Sequence, residues 1–163
     1  MDERYDIIRS VRDKRYRYIR NYEPLKTYYQ YMNTPEKGAT MKEIRRMAKA
    51  GKLPAAAKLF MATSKPTEEL YDLKNDPHEI NNLVGNSKYA DKLVELRNTH
   101  SDWVKRTGDL GLLPEAEIEI REKAAGSRFD ILRGKNKLNT QLGNAAAMAS
   151  AGVYALPSMI QSM

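Results

Sequence analysis

Five ligand-bearing side chains crowd into the stretch ELYDLKNDPHEINNL, residues 69–83: Glu69, Asp72, Asp76, His78 and Glu79. Carboxylates and an imidazole at such density could hold a cation or share a proton, provided three or four of them converge. The spacing has a structural reading as well. Residues 69–73 alternate as a strand, with Leu70 and Asp72 on one face and Tyr71 and Leu73 on the other. Asp76, then Pro77, then Glu79 three after the cap, is the pattern of a capped helical turn. Asn81 and Asn82 would tie the loop by side-chain-to-backbone bonds. On this reading the segment joins a strand to a helix, and no metal ligand set is assigned.

The second constellation is basic. Arg9, Arg12, Lys14, Arg15, Arg17 and Arg20 alternate with bulky residues through DIIRSVRDKRYRYIRNY, residues 6–22, as candidate anion contacts. Basic side chains interleaved with rings suit a polyanion, yet the same alternation is what a half-exposed sheet requires. No nucleic-acid motif accompanies it, so nucleic acid is the less favoured polyanion. His100 sits on the apolar side of a helical pattern and is read as a satisfied, partly buried imidazole. Nothing in the spacing brings it to His78. No P-loop, dinucleotide fingerprint, H-E-x-x-H or G-x-S-x-G is present.

These residues must be positioned by a small set of elements. Residues 6–22 read as a hairpin turning at Asp13-Lys14, with Val11 opposite Tyr16 and Ile8 opposite Ile19. YEPLKTYYQYMNTPEKGA has no sustained period and is expected as a long loop held by its tyrosines. Thr40 and Glu43 form a T-x-x-E capping box before a short helix that stops at Gly51, and Pro54 opens another through AAAKLFM. The longest helix runs from about 87, capped near Asn86 or Ser87, to Thr107, with Tyr89, Ala90, Leu93, Leu96, His100, Trp103 and Val104 on one face and Gly108 closing it. The fold class is therefore α+β: a small antiparallel sheet of three to four strands against a long amphipathic helix. Beyond Leu113 come PEAEIEIREKAAG, NKLNTQLGNAAAMASAG and ALPSMIQSM, read as an α-helical extension, so the chain divides into 1–113 and 114–163.

Composition bounds the rest. With 163 residues and 41% hydrophobic content, one core plus an appendage is expected. Ten tyrosines against two phenylalanines and one tryptophan favour half-buried surfaces, where the ring packs and the hydroxyl stays wet. There is no cysteine, which excludes disulfides, thiolate metal sites and cysteine nucleophiles in this chain. A net charge of +7 and a pI near 9.5 suit a polyanionic partner. The first residues, MDERYDIIRS, do not read as a signal peptide, and no stretch approaches the roughly 18 apolar residues of a membrane span.

The order of motifs VRDKRYRYIRNY, TMKEIRRMAKAGKL and KPTEELYDLKNDPHEINNLVGNSKYADKLVELRNTHSDWVKRTGDLG closely resembles the C-terminal subdomain of type I sulfatases. These are the formylglycine-dependent sulfuric ester hydrolases of the alkaline-phosphatase superfamily, and the resemblance covers about residues 5–115. Its most specific piece is E-L-Y-D-L-x-x-D-P-x-E-x-x-N-L, from Glu69 to Leu83. The resemblance implies a four-stranded antiparallel sheet crossed by the long helix, leaning on a larger α/β catalytic domain and helping to wall a substrate cleft. The fourth strand would come from residues 24–66 or from unidentified sequence.

The resemblance also implies chemistry that this chain does not carry. Family catalysis uses a formylglycine made in C/S-x-P-x-R, with a calcium ion held by Asp and Asn side chains. The nearest serine, in Ser64-Lys65-Pro66-Thr67-Glu68, ends in Glu where the motif requires Arg. The expectation is a C-terminal, cleft-supporting sulfatase subdomain that is not catalytic alone. Calcium and formylglycine are expected only in a separate catalytic domain, which would be the partner, with a sulfated glycan as a further ligand. Full-length relatives of this kind are often periplasmic or secreted. The alternatives are a stand-alone basic module holding a sulfated glycan or nucleic acid, and a scaffold whose 114–163 helices dock a protein.

Overall fold

The computed structural model describes residues 4–133, 141–146 and 148–149. Strand β1 (Ile8–Arg12) and strand β2 (Tyr16–Asn21) form the expected hairpin. Their register differs from the sequence reading: Val11 faces Tyr18 and Ile8 faces Asn21. The Asp13 carboxylate explains the shift, since it accepts hydrogen bonds from the backbone N–H of Arg15 at 2.7 Å and of Tyr16 at 2.6 Å. This wider turn spares Lys14 the positive φ of a two-residue loop. A slip of two residues leaves side-chain parity intact, so the same faces meet.

Strand β3 (Glu68–Asp72) pairs antiparallel with β2, with Tyr18 opposite Leu70, and the sheet order is β1-β2-β3. Three strands, not four, make the sheet among the described residues. Along the outer edge of β3, Leu83 N–H donates to Leu70 C=O at 2.9 Å. Asn82 Oδ1 accepts from Leu70 N–H at 3.0 Å, and its Nδ2 donates to Glu68 C=O at 3.0 Å. A loop thus occupies the edge that another strand could have used.

Between β2 and β3 lie α1 (Asn33–Lys37), α2 (Ala39–Lys49) and α3 (Ala55–Phe60). Helix α1 was not expected: five residues are too short to show a period. The predicted capping box does not form. Gly38 is the N-cap of α2, Thr40 lies inside the helix, and Glu43 holds Arg46 instead, at 2.7 and 2.6 Å. Gly51, at φ +67°, follows its end. The tyrosines do hold the preceding loop, with the Tyr29 hydroxyl donating to Glu36 at 2.8 Å and its ring tilted on Phe60.

Helix α4 (Ala90–Thr107) follows a 3-10 turn, Ser87–Tyr89, where Asn86 accepts from Lys88 N–H at 3.1 Å. Gly108, at φ +62°, closes α4 in the left-handed region. Leu93, Leu96, His100 and Val104 are buried. The core gathers Tyr18 and Leu70 of the sheet with Leu93 and Leu96, flanked by Val11, Tyr16 and Tyr89. Trp103, expected on the core face, is 39% exposed. It lies about 100° around the helix from Val104, towards the β1 edge where the sheet ends.

Helix α5 (Glu115–Ala125) starts after Pro114 and ends at Gly126, as read from sequence. Leu113, Ile118 and Leu132 form a second apolar cluster, against which Leu110, Ile131 and Leu142 pack. Residues 141–146 and 148–149 are helical. The remainder of the alanine-rich segment, and the last expected helix at 155–163, lie outside the described residues.

Candidate functional site

Strand alternation divides the six basic candidates. Arg9 and Arg20 face each other on the α4 side, Arg12 and Arg17 on the opposite side, and Lys14 and Arg15 lie in the turn. Four of the six meet carboxylates distant in sequence. Arg9 grips Asp109 with Nε at 2.6 Å and Nη2 at 2.9 Å. Arg15 takes Asp72 at 2.8 and 2.5 Å, and Arg17 takes Glu79 at 2.9 Å. Arg20 is buried beside Glu68, 3.7 Å away, and lies over the Tyr22 ring. Arg12 and Lys14 are exposed, and among the described residues neither is in an ion pair.

The acidic segment supplies two of these partners, Asp72 and Glu79. Asp72 is buried, and the Arg15 hydrogen bonds hold its carboxyl down to about 2, helped by Asn75 and the Lys74 N–H. Asp76 does not cap a helix. Its carboxylate accepts from the N–H of Ile80 at 2.9 Å and of Asn81 at 2.7 Å, which keeps it below the usual range. Between them Glu79 sits at φ +56°, left-handed and aimed at Arg17. Such a turn ends the strand without a helical register, the cost of the left-handed residue being offset by the hydrogen bonds that surround it. Glu69 is buried and receives the Asn21 Nδ2 at 2.5 Å and the Tyr71 hydroxyl, which burial and this carboxylate push up.

Under α4 runs a cleft of about 400 Å³ with Tyr18, Arg20, Tyr22, Glu68, Arg97 and His100 in its wall. Glu68 accepts from Arg97 at 2.7 and 2.8 Å and from the Tyr18 hydroxyl at 2.7 Å. Burial alone would raise this carboxyl; those bonds bring it below its ordinary value. His100 is buried, edge-on to Tyr18, with Nε2 3.5 Å from the Tyr22 hydroxyl. Burial, then the Arg20 charge, pushes it down to about 4, so the ring is neutral at pH 7 and serves as packing.

Sequence reasoning missed the buried cation Lys65, paired with Asp6, and the Glu68–Arg97 pair across the cleft. It also missed Asn21, whose buried Oδ1 accepts no hydrogen bond among the described residues. Glu68 and Asn21 stand out as polar residues in strands, Lys65 lies in a loop and Arg97 on α4, and none of these positions says which partner answers it. Among the described residues no cluster of three or more His, Asp or Glu is arranged to hold a metal ion.

Two curated relatives, each named an ulvan-active sulfatase of Formosa agariphila, match this chain. One is 41% identical over 143 residues, 88% of this chain; the other is 38% identical over 102 residues, 63% of this chain. The chain carries a sulfatase-related domain. It spans 24% and 18% of the length of those two relatives. No protein-family model matches the sequence. In the sulfatase-related domain the carboxylates from Glu69 to Glu79 are committed to Arg15, Arg17, Asn21, Tyr71 and backbone N–H groups. No helix among the described residues is long and apolar enough to cross a membrane.

Proposed function

We propose that this chain acts as the C-terminal, non-catalytic domain of a sulfatase and supports the substrate cleft of a longer polypeptide. The observation that carries the reading is the engagement of the acidic motif. Asp72, Asp76, Glu69 and Glu79 each serve an intramolecular partner, so a calcium ion would have to displace a guanidinium or strip backbone N–H groups of their acceptor. These residues do not fit the ion, and no reaction step runs through them. Formylglycine and calcium belong, in this proposal, to the part of a sulfatase outside the matched region.

The partner surface proposed for that remainder is the sheet face turned away from α4. There Ile8, Ile19, Tyr28, Leu59, Phe60 and Tyr71 line a groove of about 510 Å³. Tyr71 is buried at its floor, and the half-exposed rings and aliphatic chains around it are of the kind typical of an interface core. A second reading, a basic module holding a sulfated glycan, is favoured only by the exposed Arg12 and Lys14 at the hairpin tip.

The test is an aryl-sulfate assay of the purified chain with calcium present. No turnover is expected; turnover that co-purifies through successive columns would overturn the non-catalytic reading. In size-exclusion chromatography with light scattering, the exposed face should show as concentration-dependent association, and a strict monomer at all concentrations would count against it.

A further inference from the structure

We infer that the groove on the sheet face turned away from α4 is a seat for one arginine side chain of the protein surface that covers it, with Glu69 and Asn21 as acceptors. Strand alternation brings the two together. Asn21 of β2 and Glu69 of β3 point to the side opposite Tyr18 and Leu70, with Ile19, the cross-strand neighbour of Glu69, between them. Both line the groove of about 510 Å³, along with the rings of Tyr28, Phe60 and Tyr71.

Two unanswered acceptors distinguish this floor. Asn21 is fully buried, and its Nδ2 donates to Pro66 C=O at 2.7 Å and to Glu69 at 2.5 Å. Those two acceptors fix which end of the amide carries the nitrogen, so the side chain cannot be turned over to satisfy its oxygen. Oδ1 is left without a donor among the described residues. A buried acceptor in that state is rare and calls for a partner. Glu69 is the second case. It is 3% exposed and receives only neutral donors, the Asn21 amide and the Tyr71 hydroxyl. Asp72, buried to the same 3%, is gripped at two points by Arg15, whereas among the described residues Glu69 enters no ion pair. Arg17 shares the face with Glu69 and is held by Glu79 instead. Of the arginine and acidic side chains in the groove wall, Arg17 and Glu79 cancel and Glu69 is left over, in a chain whose net charge is +7.

A guanidinium answers both acceptors. Buried carboxylates are stable when a cation and further hydrogen bonds meet them, and two neutral donors fill only half of the roughly four acceptor positions of Glu69. The flat fork of an arginine carries five N–H donors, enough to engage Glu69 and still reach the Asn21 oxygen that the 2.5 Å bond holds beside it. Its faces suit the rings of Tyr28 and Phe60. A lysine ammonium is a more strongly hydrated point charge and lacks the fork. The apolar rim, with Ile8, Leu59 and Phe60 exposed, fits the residues flanking an arginine on a protein better than a free solute. The choice of a protein as the source rests on the reading of this face as the one turned to the rest of a sulfatase.

The full chain, isotope-labelled, is titrated with N-acetylarginine methylamide, with the uncharged citrulline counterpart of the same shape, and with the lysine counterpart, all at constant ionic strength. The Asn21 side-chain amide resonances report the site. The arginine probe should move them saturably, and the citrulline probe should bind at least about tenfold more weakly, the value of one charge-assisted contact. The lysine probe should fall below arginine too. Glu69→Gln should weaken the arginine probe by about tenfold, while Glu95→Gln, on the exposed side of α4, should change it by less than about twofold.

Melting curves verify that both variants fold, and the three-probe comparison on the wild type stands whether or not Glu69→Gln does. No saturable shift up to about 50 mM arginine probe would overturn the inference. Equal affinity for citrulline would overturn it by removing the charge, equal affinity for lysine by removing the fork, and equal losses in Glu69→Gln and Glu95→Gln by showing diffuse attraction. Concentration-dependent association without arginine binding would leave the face an interface and overturn only the arginine seat, so the two readings fail separately.

Discussion

Arg15 and Asp72 meet in a two-point pair across 57 residues of sequence, Nε at 2.8 Å from one carboxylate oxygen and Nη2 at 2.5 Å from the other. The pair fastens the hairpin turn to the end of β3. Asp72 is held down to about 2 from an ordinary 3.8, so it binds its proton less readily folded than unfolded. A depressed carboxyl contributes stability that is present above the unfolded value and lost as pH falls through the folded one. Tm should therefore drop between pH 4 and 2, and Asp72→Asn should lower Tm at pH 7 while flattening the profile in that window. A melting series from pH 2 to 7 on both proteins checks this; parallel profiles would refute it.

His100 works over a different range. Its folded value is about 4 against an ordinary 6.5, because the buried ring resists taking a charge. Between those values the unfolded chain binds a proton that the folded chain does not, so stability rises with pH from 4 to 6.5 and is complete above. Urea midpoints for the wild type should be lower at pH 5 than at pH 7. His100→Gln should lose most of that difference while destabilising at both pH values.

Leu70 is fully buried where the sheet meets α4, and its N–H is answered by Asn82 rather than by another strand. Leu70→Ala should cost about 2–5 kcal/mol through lost burial and the cavity left behind. Asn82→Ala should cost about 1–3 kcal/mol by a separate route, since it strands the Leu70 N–H without an acceptor. Asn82→Asp keeps that acceptor and loses only the donor to Glu68 C=O, so it should lie nearer the wild type in urea unfolding.

How far these elements were legible depends on the range of the interactions that set them. β3, α4 and α5 were readable because alternation, helical periodicity, Asn86, Pro114, Gly108 and Gly126 act within a few residues. The hairpin register was missed by two because a carboxylate, not a glycine, shaped the turn: Asp13 took two N–H groups and widened it. Thr40 had the right spacing for a cap but lies inside α2. Trp103 shared the spacing of the buried stripe, and only the end of the sheet at β1 left it exposed. At the candidate site the residue types were legible and their partners were not, since Arg9 finds Asp109 across 100 residues and Lys65 finds Asp6 across 59. The tightest piece of sequence, from Glu69 to Leu83, advertised chemistry because distant arginines and an asparagine that satisfy it cannot be seen locally.

Gly111 gives the most exacting test of one such long-range pair. It sits in the 3-10 turn Leu110–Leu112, whose N-cap carboxylate, Asp109, accepts the Gly111 N–H at 3.0 Å. A Cβ there would fall 1.9 Å from Arg9 Nη2 and 3.1 Å from Asp109 Oδ1. The guanidinium can swing aside because it is the end of a flexible chain, so Gly111→Ala should fold and yet lose the Arg9–Asp109 pair. The pair is partly exposed, with side-chain exposures of 25% and 9%, and its loss should cost about 1 kcal/mol. Since Arg9→Ala removes the same contact and also the clash, Arg9→Ala combined with Gly111→Ala should be no less stable than Arg9→Ala alone. A double-mutant cycle in urea decides the matter: coupling near the full cost of Gly111→Ala is expected, and simple additivity within about 0.3 kcal/mol would mean that Gly111 is not where β1 is tied to the end of α4.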